Sequence, residues 1–298
     1  MSGQRWVHPR GSLTRDGWET AVDGALNGWE HTGLLVAELA GTAAPPLLPG
    51  TEKIVVPLSG SFRVTVDEGE GTRTIDLDGR PGVFAGPTDV LYLSTAATAT
   101  VTGDGRVAVV TSPTARVRPT VRIPAADTPV ELRGAGASSR QVHNFGTPPA
   151  LDADRLIVCE VITPAENWSS YPPHKHDEDV PGAESRLEEI YYFEAAPAER
   201  GRGTAEAAFG TFSAYSSPAG SLDVNAMVRT GDVVLVPHGY HGPAAAAPGY
   251  DLYYLNVMAG PGPERAWLIS DDPAHAWVRE TWAGQRIDER LPFGGEED

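Results

Sequence analysis

The sequence predicts an all-β protein: two similar β-barrels in one chain, with a short C-terminal helix. Three observations carry this. Strand-like runs recur with turn signals about every 8–12 residues, the spacing of sandwiches and small barrels, not of alternating βα units. The 298 residues include 33 glycines and 26 prolines, enough to punctuate many short strands. The strand pattern lapses near residue 112 and restarts near 155 with a second series like the first, and about 150 residues is an ordinary domain length.

The elements follow in chain order. Residues 1–30 read as irregular, with a short helix around 18–25. Gly33–Leu39 reads as a strand, and Lys53–Val66 as a β-rich run broken into a hairpin at Gly60. Thr72–Leu77 alternates with period two, so one face is expected to be buried. Val90–Leu93 and Arg106–Thr111 complete the first unit, assigned to residues 1–125 with its N-terminal extension. Residues 126–150 read as a connection rich in Pro, Ala, Gly and Ser. Residues 151–298 hold the second unit, with strands at Arg155–Ile162, Glu189–Glu194, Ala207–Ser213, Ser221–Val228, Asp232–Val236 and Tyr250–Val257. Asp271 and Asp272 suit a helix cap, Pro273 its first turn and Gly284 its end. Glu52-Lys-Ile-Val-Val reads as the counterpart of Glu189-Ile-Tyr-Tyr.

The 23 basic and 40 acidic residues give a net charge of −17, which repels phosphate backbones and anionic lipid surfaces. Neither nucleic acid nor membrane is an expected partner. No apolar run approaches the roughly 20 residues of a membrane span, and the N-terminus has no secretory apolar core, so a soluble cytoplasmic protein is expected. The single cysteine, Cys159, excludes an internal disulfide and a thiolate zinc cluster, and its apolar run makes it a core residue.

The chemistry concentrates in the second unit. His174-Lys175-His176 places two imidazoles on one side of an extended segment, and Pro172-Pro173 stiffens the approach. A carboxylate from Leu187-Glu188-Glu189-Ile190 can join them; strand phase does not choose between Glu188 and Glu189. His241, after Pro237-His-Gly-Tyr, is the fourth candidate, while His238 reads as a turn residue. Three imidazoles and one carboxylate suit one divalent metal ion: zinc or manganese first, with iron, nickel or cobalt as alternatives. Asp177-Glu-Asp reads as a solvated loop. The first barrel offers no imidazole at the matching places, so it is expected to bind no metal and to act as scaffold.

This constellation resembles the cupin superfamily: two His and a Glu on a strand-turn-strand, then a His after a Pro-x-Gly turn. In that family the glutamate directly precedes the hydrophobic strand, which favours Glu189. Over the last 150 residues the likeness sharpens. Arg140-Gln-Val-His-Asn, Asn167-Trp-Ser-Ser-Tyr-Pro-Pro-His-Lys-His-Asp, Leu187-Glu-Glu-Ile-Tyr-Tyr-Phe, Val236-Pro-His-Gly-Tyr-His and Asp272-Pro-Ala-His-Ala-Trp-Val-Arg-Glu-Thr-Trp resemble the 5-deoxy-glucuronate isomerase family. That resemblance implies a bicupin of jelly-roll type and a homo-oligomer. It further implies conversion of 5-deoxy-D-glucuronate to 5-dehydro-2-deoxy-D-gluconate in inositol catabolism, by metal-assisted proton transfer through an enediol. Glu188, Lys175 and a tyrosine (Tyr171, Tyr191 or Tyr254, with Tyr254 preferred) are the candidate proton-transfer groups. Arg140, Gln141, Tyr171 and Arg186 are the candidate substrate contacts, with Lys175 a further cation for the carboxylate. The competing role for Arg140 and Gln141 is a structural hydrogen bond. Rival functions are a related 4-deoxy-5-keto uronate isomerase, a cupin dioxygenase and a non-catalytic sugar-binding bicupin.

Overall fold

The two-residue period of strands, not helix, organises the chain. The computed structural model describes residues 5–26, 28–199, 201–262 and 264–294. Among these, the strands form sheets of eight, seven and six members, nearly all antiparallel neighbours. The eight-stranded sheet is the first unit. Its path runs Thr20–Val22, Gly33–Ala43, Thr98–Pro113, Thr51–Pro57, Val90–Leu93 and Val121–Ile123. The hairpin Gly60–Asp67 and Thr72–Arg80 attaches to it. Thr98–Pro113 pairs with the hairpin through its first half and with Thr51–Pro57 through its second, so one strand serves both faces. The change of direction falls at Gly103, where a Cβ would meet the Ser61 carbonyl oxygen at 2.2 Å.

The second unit is a sandwich. Its seven-stranded sheet runs Val7–His8, Val233–Val236, Glu188–Pro197, Tyr250–Ala259, Ile157–Thr163, Arg140–Gly146 and Val130–Arg133. The facing sheet runs Gly220–Val228, Gly210–Ser217, Tyr240–Ala246, His174–Lys175 and Ser270–Asp271, with Trp168–Ser169 beside Tyr240–Ala246. Three expectations are corrected here. Residues 126–150 are not a bare connection, because Val130–Arg133 and Arg140–Gly146 pair as strands of the second unit. The extension does not belong wholly to the first unit, because Val7–His8 pairs with Val233–Val234. The N-terminal helix is absent; Thr20–Val22 pairs with Leu34–Val36. At the other end, α-helix covers only Val278–Thr281, followed by a tight turn to Gly284.

Alternation along these strands builds three apolar cores. Val55, Phe62, Val64, Leu91 and Val109 fill the first unit. Ile157, Cys159, Tyr191, Phe193, Phe212 and Leu252 fill the second. Between the units lies a third, with Leu34, Ile54, Val56 and Tyr92 against Ile190, Tyr192, Leu255 and Val257. The central strands of the eight- and seven-stranded sheets are therefore buried on both faces. This third core encloses charge. Arg80 donates to both oxygens of the fully buried Glu160 at 2.7 and 2.8 Å, and Tyr253 Oη and His143 Nδ1 lie 2.8 and 2.6 Å from the same carboxylate. Burial alone would raise the Glu160 carboxyl; the Arg80 charge and the His143 hydrogen bond hold it at about 2.

The units also lock each other with paired carboxylates. Glu188 accepts hydrogen bonds from the backbone N–H groups of Glu30, His31 and Thr32 at 3.2, 2.7 and 2.6 Å, and from the Thr32 hydroxyl at 2.9 Å. Glu52 reciprocates. It accepts from the N–H groups of Asp154, Arg155 and Leu156 at 2.8, 2.6 and 2.7 Å, and from Tyr92 Oη at 2.7 Å. Each carboxylate heads a central strand of one unit and satisfies the residues just before a strand of the other. Truncating either leaves three N–H groups, one buried and two partly buried, without their acceptor, at about 1–3 kcal/mol for a buried one and less for the others. We expect Glu52→Ala and Glu188→Ala each to lower unfolding free energy by about 3 kcal/mol, read from urea midpoints; losses under about 1 kcal/mol would show the locks to be incidental.

Candidate metal and substrate site

Glu189 is the second residue of Glu188–Pro197, so its side chain leaves the sheet on the face opposite Glu188. It enters the interior of the second unit with Tyr191 and Phe193. The facing sheet supplies the histidines. His174 is the register partner of His241, which places their rings 4.6 Å apart, and His176 lies 4.7 Å from His241 between centroids. The turn before His241 depends on Gly239, at φ +97°, where a Cβ would lie 2.6 Å from the Tyr215 carbonyl oxygen.

His176, Glu189 and His241 each offer a ligand atom, all within 4.8 Å of one another. His174 stands beside this trio, with its ring 6.4 Å from that of His176. All three imidazoles place Nδ1 near a backbone carbonyl: Pro172 O at 3.1 Å for His174, Leu187 O at 3.2 Å for His176, and Gly239 O at 3.1 Å for His241. Donation from Nδ1 to a carbonyl leaves Nε2 as the nitrogen available to a metal, as in metal-binding histidines held by a backbone partner, and His176 Nε2 lies 3.1 Å from Glu189 Oε2. His241 Nε2 lies 3.1 Å from Glu189 Oε2, yet makes no aligned hydrogen bond and is a buried orphan. Both atoms point at common ground instead of at each other. The donor set therefore fits a divalent cation.

Electrostatics agree with a carboxylate prepared for cations. Burial works against ionisation of Glu189, but its contacts with His176 and His241 hold it at about 2. Burial and then the neighbouring imidazoles push His174 well below its ordinary value. Burial would lower His176 also, yet Glu189 raises it.

The cluster opens on a cavity of about 220 Å³ lined by Arg133, Arg140, Ser170, Tyr191, Tyr254 and Asn256 among others. Of the proposed proton-transfer groups, Tyr254 faces this cavity; Ser170 Oγ lies 3.3 Å from its hydroxyl and 3.1 Å from that of Tyr191. Burial raises both phenols. Of the proposed substrate contacts, Arg140 lines it too.

Five candidates fall elsewhere. Glu188 is spent on the first unit's backbone. Lys175 points away from its flanking histidines, as period two requires, and its Nζ donates to Asp177 (2.9 Å), Glu178 (2.6 Å) and Glu184 (2.9 and 3.0 Å). Gln141 exchanges hydrogen bonds with the Phe293 backbone at 2.6 and 3.1 Å and donates to His143 at 2.7 Å, the structural role. Tyr171 packs edge-on against Trp168 at 5.3 Å. Arg186 lines a separate cleft with Arg155 and Arg265.

Asp177 is not solvated. It is buried, and its Oδ2 accepts from Gly239 N at 2.8 Å and from Ser217 Oγ, so it ties the His176 segment to the His241 turn. Asn256, Trp267 and Arg279 also line the cavity and were not singled out from the sequence. Asn256 had a legible signal: it lies two residues from Tyr254 on one strand and shares its face.

Burial opposes ionisation of Asp177 and Glu184, but hydrogen bonds from Ser217 and Ser270 and then Lys175 hold both below their ordinary values. Their contribution is thus complete above about pH 4.5 and fades as pH falls through the lower folded values. Lys175→Met should cost about 3 kcal/mol at pH 7. That penalty should shrink by pH 3 in parallel urea titrations; an equal penalty at both would disprove the ionic account.

The profile of the KduI/IolB family matches residues 6–278. A protein named 5-deoxy-glucuronate isomerase from Geobacillus kaustophilus is 40% identical over 284 residues, covering 93% of this chain and 96% of that one. The protein of the same name from Bacillus subtilis strain 168 is 40% identical over 249 residues, covering 82% and 86%. The crystal structure of an IolB-like protein from Salmonella typhimurium LT2 superposes with TM-score 0.80 at 34% identity, covering 92% and 98%. An oxalate decarboxylase from Lactobacillus farciminis shares the two-barrel fold alone, with TM-score 0.58 at 12% identity, covering 91% and 87%.

Proposed function

Because this chain belongs to the KduI/IolB family, we infer that it is an aldose–ketose isomerase converting 5-deoxy-D-glucuronate to 5-dehydro-2-deoxy-D-gluconate. The observation that carries the site chemistry is the convergence of His176 and His241 with Glu189, His174 beside them, at the edge of a cavity that His174 and Glu189 line. His174, His176, Glu189 and His241 hold one divalent ion, zinc or manganese by preference, and iron, nickel or cobalt also suit the nitrogen-rich donors. The first unit holds none; Lys53 stands where its Glu189 would be. A cytoplasmic homo-oligomer completes the reading.

The substrate is an aldehyde with a neighbouring hydroxyl. Isomerisation removes a proton from C2 and delivers one to C1, while the O2 proton passes to O1 across an enediol. A divalent cation supplies positive charge for the two oxygens as they become anionic. Tyr254 keeps its proton at neutral pH and carries proton transfer at the oxygens, with Ser170 bridging it to Tyr191. Val142, Val161 and Ile269 complete the cavity wall with apolar side chains.

Elemental analysis should give one equivalent of divalent metal per chain. His176→Ala and Glu189→Gln should lose nearly all of it, while Glu188→Gln keeps it. Full aldehyde-to-ketone conversion by metal-stripped protein would overturn the assignment. Tyr254→Phe should lower kcat by about 10²–10⁴ with metal content and KM little changed. In deuterated water the former aldehyde carbon should gain deuterium; complete retention of substrate hydrogen would favour a hydride shift.

A further inference from the structure

We propose that Arg140 and Trp267, whose ring carries the guanidinium of Arg133, the register partner of Arg140, form a second pole of the cavity, which recognises a single carboxylate and selects an acid sugar over a neutral one. The identity of the sugar rests on the isomerase reading; the pole itself does not.

Charge counting comes first. Arg133, Arg140 and Arg279 all line the cavity. Arg133 is paired with Glu131 at 2.7 and 2.9 Å, and Arg279 with Asp271 at 2.5 and 2.7 Å. Arg140 is 5% exposed and has no ion-pair partner among the described residues. Its Nη1 donates to the Ser138 carbonyl at 2.9 Å, and its guanidinium lies over the Trp282 ring at 5.5 Å. One cation is thus left over, buried, in a chain of net charge −17. Burial, with Arg133 and Arg279 adding to it, drives the Arg140 pKa down to about 10, so a carboxylate arriving here relieves a destabilised charge.

Unmet donors come second. The Asn256 side-chain nitrogen and Trp267 Nε1 are buried without partners, and both residues line the same cavity. Arg140 adds further N–H groups. Such a wall calls for acceptor oxygens, and a carboxylate supplies up to four lone pairs in the plane that a guanidinium fork matches.

Span comes third. Arg140 sits on Arg140–Gly146, three strands from Glu189 in the sheet order, and the registers of the intervening strands bring it level with Ala195, six residues along from Glu189. That is about 14 Å across the sheet and about 20 Å along it, so the two residues stand at opposite corners of the cavity that both line, and an extended six-carbon acid lies along the diagonal between their side chains. The carboxylate then lies on Arg140 while the other end of the chain meets the histidines.

The test compares wild type, Arg140→Met, Arg140→Lys and Trp267→Phe, each checked for metal content and unfolding midpoint. Calorimetry on metal-free protein uses D-gluconate as the carboxylate probe and D-sorbitol as its neutral match. Wild type should bind gluconate at least tenfold more tightly, and Arg140→Met should lose that preference. Metal-loaded Arg140→Met should lose about 100-fold in kcat/KM for the deoxy-uronate, mostly in KM, but not for 5-deoxy-D-glucose. Arg140→Lys should recover only part, because an ammonium lacks the planar fork, and Trp267→Phe, which removes one N–H donor, should weaken gluconate more than sorbitol. Equal binding of the two probes by wild type, or unchanged preference in a folded Arg140→Met, would overturn the pole. If the gluconate preference holds while wild type isomerises no deoxy-uronate, the isomerase reading fails and the pole stands.

Discussion

Everything at the site depends on the phase of one strand. Glu188–Pro197 is buried on both faces, so its two-residue period sends Glu188, Ile190 and Tyr192 toward the first unit and Glu189, Tyr191 and Phe193 into the second. A slip of one residue would put Ile190 among the histidines and bury Glu189 against apolar side chains. Glu188 prevents this by anchoring the strand's first residue to three backbone N–H groups of the other unit. The first unit is therefore more than a passive neighbour, because its residues 30–32 help set where the Glu189 carboxylate points.

That arrangement explains what was legible in the sequence. The continuous apolar run Tyr250–Val257 and the alternating run Ser221–Val228 announce themselves as strands, and the two-unit architecture follows from the repetition of such runs. His174 and His176 are legible because two residues apart on an extended segment is a geometric statement in itself. The choice between Glu188 and Glu189 is not, since phase assigns a side chain to the core only when the core lies on one face. This strand has one on each. Lys175 was misassigned by proximity in sequence, although the period that joins its neighbours excludes it. Val130–Arg133, a four-residue edge strand, and Arg140–Gly146 beside it hid in a Pro- and Gly-rich stretch that masks their periodic signal. Arg140 could be picked by charge, whereas Trp267 comes to the cavity through an irregular segment that no local pattern announces.

The duplicated architecture also shows how one copy lacks the ligand set. The strand faces align Glu52 with Glu188 and Lys53 with Glu189, since Ile54 and Val56 share the inter-unit core with Ile190 and Tyr192. The expected equivalence of Glu52 with Glu189 is off by one residue. Lys53 is buried in the first unit, its Nζ donating to the Thr51 carbonyl at 2.6 Å, and burial lowers its pKa to about 8. An ammonium in that place repels a cation instead of holding one. The locking carboxylate is present in both copies, while the liganding carboxylate belongs to one.

A cavity with two positive poles must also solve a problem of direction. A carboxylate is a good ligand for a divalent ion, so an acid sugar offers the histidine cluster two ends, and the carboxylate is the stronger donor. Bound in reverse, the sugar would occupy the cluster without exposing the carbon that must lose its proton. Affinity for the correct orientation does not remove this competitor; a better place for the carboxylate does. Arg140, desolvated and short of a counter-ion, with the unpartnered N–H of Trp267 at the same end of the cavity, gives the carboxylate bonds that an aldehyde and its hydroxyl cannot use as well. The same residues that bind the acid thereby keep it off the cluster, and the uncharged end of the chain is left to face His174, His176, Glu189 and His241.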